Sequence, residues 1–313
     1  IILNNNGQIM SAIQTGLTLK DQQIMFSRNG SMYLSNGQKT TLLFKDGGER
    51  WTHEQPFVHF AQSHDGTTLL LSQDGRLMAT DINGEHLWEV NLEESFSNGL
   101  CVGINKTIIT LSDNGNVYLV NDSGETVLKQ QTPMNPSTTP IVDITGDIYY
   151  GTGDSKLIKR SPAGEKVWEI QTAGTAINQP VFDFSGNVIY ATTGGIVCSV
   201  KKATGEQNWQ FYTDGGIPTG LTLSQNKVLY FTTTKNKAYA LSTEATLKWK
   251  AQAAAFLHLP PILKDKDTVI IPAKNKVYII KENTGSIAKS AWACLHGNQQ
   301  RRQSLYTPTL HRL

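Results

Sequence analysis

Short apolar runs bounded by Gly, Asn, Asp and Ser recur along the whole chain, and nowhere do they take the 3.6-residue spacing of an amphipathic helix. Runs rich in Val, Ile, Tyr and Phe between turn residues predict antiparallel strands joined by tight hairpins. Between Asn178 and Gly215 four follow one another, PVFDF, VIYAT, IVCSV and WQFYT, separated by SGN, TGG and KATGEQ. The grouping then repeats. Gly followed four residues later by an apolar residue, usually Trp, occurs at Gly47/Trp51, Gly84/Trp88, Gly124/Leu128, Gly164/Trp168, Gly205/Trp209, Ala245/Trp249 and, degenerately, Gly285/Lys289. The second members are 37, 40, 40, 41, 40 and 40 residues apart.

Two further elements keep the same period. A turn feeding an apolar strand precedes each Gly: NGSMYLS, DGRLMAT, NGNVYLV, DSKLIKR, GGIVCSV, KNKAYAL and KNKVYII. Each unit opens on a run after Pro or Gly, at Gly16, Pro56, Gly99, Pro140, Pro180, Gly220, Pro261 and Pro308. Four strands per forty residues, repeated, predict an all-β propeller, whose radial array leaves only short sheet edges. Eight openings against seven Gly/Trp corners predict eight blades, with seven as the alternative. The last opening, LYTPTLH at 305–311, has no strands after it, whereas the N-terminus supplies Ile1–Leu3 as a second strand and Gln8–Ala12 as a third. The expectation is a single domain over 1–313 whose eighth blade joins about 305–313 to 1–13, tying both termini into one sheet.

The Gly/Trp spacing has a physical reading. Gly84, Gly164 and Gly205 enter the outermost strand through a turn where φ > 0 carries no Cβ penalty. Four residues on, the indoles of Trp51, Trp88, Trp168, Trp209 and Trp249 are expected to lie against the neighbouring blade. Burial of each ring stabilises by about 3 kcal/mol.

The ATGE-x-x-W form of this repeat, clearest in KKATGEQNWQF at 201–211, resembles the PQQ-like, or quinoprotein-type, β-propeller family over nearly the whole chain. The stretch AWACLHGNQQRRQSLYTP at 291–308 also looks like a segment that precedes an inner strand in that family. The resemblance implies one of several uses: quinone-dependent dehydrogenase, scaffold of the outer-membrane assembly lipoprotein kind, or surface and sensor module. The dehydrogenases carry adjacent cysteines, an Asp base, a Glu/Asn calcium set and long insertions. This chain has no adjacent Cys and no long insertion, and its acids such as Asp143 and Asp183 sit in the turn sequences DITGD and DFSGN. The branch implied is therefore the non-enzymatic one, without cofactor.

Composition narrows the picture further. With 313 residues, 39% hydrophobic, 17% charged and a net charge of +2, the chain is neither disordered nor a membrane-helix protein. The low charge and abundant Asn, Gln, Ser and Thr suit an extracytoplasmic surface, periplasmic, cell-surface or secreted. Cys101, Cys198 and Cys294 are too far apart in sequence to read as a disulfide framework, and buried free thiols are the expectation. The chain begins at Ile1, which leaves a removed signal peptide or a longer parent protein open. No P-loop, G-x-S-x-G elbow, H-E-x-x-H or zinc spacing occurs, and His53, His59 and His64 read as strand and turn positions rather than a metal cluster. The charge lacks the concentrated basic stripe that nucleic acid needs.

What remains is interaction. The connections from each outer strand to the next inner strand gather at one face, and binding residues concentrate on such loops. Phe96, Met134, Tyr212, Phe256, His258, Trp292, His296 and Arg301 are the candidate contacts for a protein partner or a surface polysaccharide. The function expected is a monomeric, non-catalytic binding or assembly scaffold. A carbohydrate-binding or carbohydrate-active propeller and a sensor domain of a longer protein are the alternatives.

Overall fold

The computed structural model describes residues 2–3, 9–11 and 23–288, apart from 104, 133, 275 and 286. All regular structure among them is β. An N-terminal hairpin pairs β1 (Ile2–Leu3) with β2 (Ile9–Ser11). Blade 1 contains β3 (Gln23–Phe26), β4 (Met32–Ser35), β5 (Thr40–Leu43) and β6 (Glu49–His53); blade 2 contains β7 (Phe57–Gln62), β8 (Thr68–Ser72), β9 (Arg76–Thr80) and β10 (His86–Asn91). Blade 3 is β11 (Leu100–Val102), β12 (Ile108–Leu111), β13 (Asn116–Val120) and β14 (Thr126–Gln131); blade 4 is β15 (Ile141–Val142), β16 (Ile148–Thr152), β17 (Lys156–Arg160) and β18 (Lys166–Gln171). In blade 5 come β19 (Ala176–Phe182), β20 (Val188–Thr192), β21 (Ile196–Val200) and β22 (Gln207–Tyr212), and in blade 6 β23 (Pro218–Leu223), β24 (Val228–Thr233), β25 (Lys237–Ser242) and β26 (Leu247–Gln252). Blade 7 has β27 (Ile262–Asp265), β28 (Thr268–Pro272) and β29 (Val277–Lys281). Within each blade the strands pair antiparallel in chain order, a propeller-like arrangement.

Burial follows position within the blade. Every residue of the second strands β8, β16, β20 and β24 is buried, whereas the outermost strands β10, β14, β18 and β22 share one pattern of exposed and half-buried positions. A middle strand is covered on both faces by neighbouring blades, so its sequence is a continuous apolar run rather than an alternation. The core accordingly lies between blades. One cluster joins Met25, Tyr33 and Leu42 of blade 1 to Phe60, Leu70 and Met78 of blade 2; another joins Val181, Ile189 and Val197 of blade 5 to Leu221, Leu229 and Phe231 of blade 6.

The indoles lock these seams with a directed bond. Trp51, Trp88, Trp168 and Trp209 donate Nε1–H to the carbonyls of Gly84, Asp122, Lys202 and Thr243, and Trp249 to the Glu282 carboxylate, at 2.7 to 3.1 Å. Each acceptor lies in the stretch that follows the third strand of the next blade. The same stretches supply the recurrent glycines, which have φ of +83°, +86°, +83° and +75° at Gly84, Gly124, Gly164 and Gly205. These glycines have a second duty: a Cβ on Gly124 would stand 2.7 Å from the Trp88 ring, and one on Gly205 3.1 Å from Trp168. The motif thus couples two seams. Its Trp reaches forward to the next blade while its Gly clears room for the indole behind.

Two expectations change, and a third is left open. In blade 1 the motif NGSMYLS supplies the second strand β4, not the third; the third is β5, and the inner strand is β3 rather than a run after Gly16, which lies outside the described residues. The first two hairpins of that blade both carry Asn-Gly, at Asn29–Gly30 and Asn36–Gly37, so the local signal could not say which was which. Blade 7 has three strands among the described residues; after β29 the chain crosses to blade 6, where Ile287 bridges Ser224 and the Ala288 N–H donates to the Leu223 carbonyl at 2.9 Å. Finally, seven sheets of three or four strands are seen beside the β1–β2 hairpin, and the closing strand expected at 305–313 lies outside the described residues.

Candidate functional site

The turns between second and third strands and the connectors from each outer strand to the next inner strand lie at the same end of every blade, by the antiparallel order. They are stitched together. The first connector residue donates its N–H to a carbonyl of its own blade's turn: Leu92 to Gly75, Thr132 to Gly115, Thr172 to Ser155, Thr213 to Gly195 and Ala253 to Asn236, all at 2.8 to 2.9 Å. The residue before it adds a side-chain clasp, since the Gln131, Gln171 and Gln252 amides donate to the turn carbonyls of Asn114, Ser155 and Asn236 at 2.8 to 3.1 Å. A rigid face results, with its loops fixed by the repeat itself.

Blade 5 departs from this pattern. Tyr212 stands where blades 3, 4 and 6 place the clasping Gln; among the described residues its hydroxyl accepts only from Gln210 at 2.9 Å, and 62% of its surface is exposed. In the next connector, Leu257 is buried and its N–H donates to Asn236 Oδ1 at 3.1 Å. The flanking Phe256 and His258 are therefore turned outward, their rings stacked 5.7 Å apart and nearly parallel at 5°. Asp214, two residues after Tyr212, receives Lys237 at 2.6 Å and Lys250 at 3.1 Å, and these cations bring its carboxyl down to about 2.

The connector between blades 2 and 3 is built the opposite way. Phe96, expected as an exposed anchor, is fully buried with its ring edge-on to Tyr118 at 5.6 Å, and its carbonyl lies 3.3 Å from His59 Nε2. Glu94 is drawn in beside it, accepting from Asn116 Nδ2 at 2.8 and 2.9 Å and from the Tyr118 hydroxyl at 2.7 Å, with Lys129 at 2.6 Å. Burial alone would raise the Glu94 pKa, but these donors outweigh it and bring the carboxyl down to about 2. Burial lowers the His59 imidazole to about 4, so it is neutral at pH 7. The sequence held no sign of this inward turn, because a Phe amid Ser and Asn reads as exposed whether or not a pocket awaits it. Met134 is half-buried, with its carbonyl taking a bond from Thr132 Oγ1 at 3.1 Å. Trp292, His296 and Arg301 lie outside the described residues.

Comparison with known proteins settles the kinship of this architecture. A family model described as outer membrane protein assembly factor BamB matches residues 73–290. The chain belongs to this family. The structure is similar to that of BamB from Moraxella catarrhalis, with a TM-score of 0.66 at 15% identity, covering 83% of this chain and 81% of that one. It is also similar to the C-terminal WD40 domain of Sif2, with a TM-score of 0.70, 11% identity and coverage of 86% and 84%. A computationally designed protein, Ika8, gives 0.71 at 14% identity, covering 82% of each chain. At such identities these structures share the fold alone. Among curated proteins the sequence finds no match.

In this BamB-family chain the remaining polar residues do local work. Asp143 and Asp183 cap their own turns, each Oδ1 accepting two backbone N–H groups, and Asp143 also meets Lys202 at 2.9 Å. His53 lies edge-on to Trp51 at 4.7 Å, and Arg28 hydrogen-bonds the His64 carbonyl, so His53, His59 and His64 serve three separate neighbourhoods. Among the described residues no group of three or more His, Cys, Asp and Glu is placed to hold a metal ion. Cys101 and Cys198 are free and buried, and burial raises both thiols. No helix among the described residues is long and apolar enough to cross a membrane. At the opposite end of the blades a cleft of about 420 Å³ opens between blades 2 and 3, walled by Leu69, Trp88 and Ile108, with Lys106 bonded to Asp65 at 2.7 Å across its mouth.

Proposed function

We propose that this chain is a non-catalytic docking scaffold, acting outside the cytoplasm in the assembly of outer-membrane proteins, and that its connector face meets a protein partner. The observation that carries the reading is the contrast between blades. Blades 3, 4 and 6 end their outer strands on a Gln that clasps the turn, whereas Tyr212 at that position of blade 5, and Phe256 and His258 in the connector after blade 6, stand on the same stitched frame with their rings exposed. Exposed aromatics on a pre-ordered surface lose little conformational freedom on association, and such residues dominate interface energetics. The family match supports the assembly role. We propose a single, monomeric domain for this work, with the N-terminal hairpin as part of an eighth blade.

The test is site-specific photocrosslinking in cells. A benzophenone amino acid at position 212 or 256 should trap a discrete protein adduct, and the same group at Val167, exposed on the outer strand of blade 4, should not. Equal adduct patterns from all three positions would refute the choice of face. Stoichiometric quinone binding with turnover of an alcohol or sugar would refute the non-catalytic assignment.

A further inference from the structure

Charge is distributed unevenly around the connector face. In blades 2 and 4 the turn between the second and third strands has Asp74 and Asp154 at its second position, and the cations nearby are engaged: Arg76 with Glu89, Lys129 with Glu94, Lys156 with Asp154 and Glu169. In blade 6 the same turn carries Lys235, with Lys237 opening β25 beside it, and in blade 7 it carries Lys274 and Lys276. Lys250 on β26 joins them through Asp214. Asp214 neutralises only Lys237 and Lys250; among the described residues Lys235, Lys274 and Lys276 are exposed and have no carboxylate partner.

These lysines ride on one continuous frame. The Thr234 N–H donates to the Ile217 carbonyl at 2.9 Å, Ala253 to Asn236 at 2.8 Å, Leu257 to the Asn236 side chain at 3.1 Å and Lys274 to the Phe256 carbonyl at 3.0 Å. Two connectors and two lysine turns therefore form a single strip. Lys235 reaches across Gly215, where an added Cβ would come within 3.1 Å of its Nζ, and Tyr212 lies at the head of that same connector. The Phe256–His258 stack sits between the two lysine turns in chain order, held to the second by the Phe256 carbonyl and to the first by the Leu257 N–H between its two rings.

We propose that this strip binds an acidic, extended segment of a protein partner, a reading that rests on the scaffold function above. Unpaired lysines supply attraction and register for carboxylates, and Tyr212 with the Phe256–His258 pair supplies apolar anchorage. Asp214, set among the lysines, selects for spaced charges. A nucleic acid presents a phosphate at every step and would bring one against that carboxylate, whereas a peptide alternating acidic and apolar side chains avoids it.

The probe is a fluorescein-labelled twelve-residue peptide of alternating Glu and Tyr, followed by anisotropy at 50 and 300 mM NaCl. The triple variant Lys235→Glu/Lys274→Glu/Lys276→Glu should weaken binding by roughly tenfold or more at low salt, and Tyr212→Ser/Phe256→Ser should weaken it at both salts. Lys45→Glu/Lys166→Glu/Lys201→Glu makes the same change in net charge at exposed positions at the opposite end of the blades, and should leave affinity within about twofold. Equal losses from the two triple variants, or none from the first, overturn the proposal, provided circular dichroism shows both folded. Tighter binding of a twelve-nucleotide oligo-dT or of vesicles with phosphatidylglycerol than of the peptide overturns it as well. If crosslinks from positions 212 and 256 persist while the peptide is ignored, the acidic partner is wrong and the scaffold stands; loss of both removes the two together.

Discussion

Replacing Gly124 by Ala tests how the blades are wedged. The residue has φ of +86°, and a Cβ there would meet Trp88 at 2.7, 2.9 and 3.3 Å. An L-residue in the left-handed region costs about 1–2 kcal/mol, and forcing a methyl against a rigid, already packed ring costs about 1–3 kcal/mol more. The single variant should therefore lose about 2–5 kcal/mol, which for a chain of this length lowers the melting temperature by about 2 °C per kcal/mol. Trp88→Ala alone should cost about 3–5 kcal/mol through lost burial and the lost bond to the Asp122 carbonyl. The informative measurement is the double variant. With the indole gone, the methyl introduced by Gly124→Ala keeps its backbone strain but not its clash, so the two changes should couple by about 1–3 kcal/mol in urea unfolding followed by circular dichroism. Additivity within about 0.5 kcal/mol would refute the wedge and leave Gly124 as a turn residue only.

Other consequences can be measured alongside. Tyr212→Gln should restore the clasp used by blades 3, 4 and 6 and raise stability by about 1 kcal/mol, while Phe96→Ala should lower it by about 3–5 kcal/mol, both read from urea midpoints. Acid should destabilise the fold in two windows. The neutral His59 contributes fully above its unfolded value of 6.5, and that contribution fades as pH falls toward 4; the ionised Glu94 contributes above 4.5 and fades as pH falls toward 2. Melting temperature against pH should flatten in the upper window for His59→Gln and in the lower for Glu94→Gln; an unchanged profile would contradict the burial of His59 in the first case and the donor set around Glu94 in the second. In a Cys294→Ser background, Cys101 and Cys198 should ignore a thiol-disulfide reagent until the protein unfolds, whereas native-state reaction would mean that a seam opens.

The blade architecture was legible in the sequence because its cause is local and repeated. The turn residues, the β runs and the Gly-x-x-x-Trp interval each arise from a constraint that acts once per unit, so seven copies reinforce one another. Two things were not legible. Which of two Asn-Gly hairpins came first in blade 1 depends on where the inner strand lies, and nothing local distinguishes Asn29–Gly30 from Asn36–Gly37. Exposure on the connectors was equally hidden: Phe96 and Phe256 occupy comparable loops, yet one is fully buried against Tyr118 and the other is 49% exposed. The difference is made by neighbours far away in sequence, an Asn116–Tyr118–Lys129 cradle that holds Glu94 in one case and an Asn236 side chain that holds Leu257 in the other.

A repeat protein separates structural duty from functional freedom in a way that a single comparison across its own units exposes. At the clasping position blades 3, 4 and 6 use Gln and blade 5 uses Tyr; the second position of the turn between second and third strands is Asp in blades 2 and 4 and Lys in blades 6 and 7. The seam that takes an indole elsewhere takes Leu128 between blades 3 and 4, against Gly164. Since the fold demands the same bonds of every unit, a residue that abandons the shared solution forfeits stability that its equivalents retain, unless something else compensates. Tyr212 gives up a clasp and gains only exposure, and the lysine turns concentrate unpaired charge where Asp74 and Asp154 would do. Neither departure improves the molecule in isolation. Both fall on one stitched strip, and that coincidence, rather than exposure at any single residue, is what makes the strip a surface for another molecule.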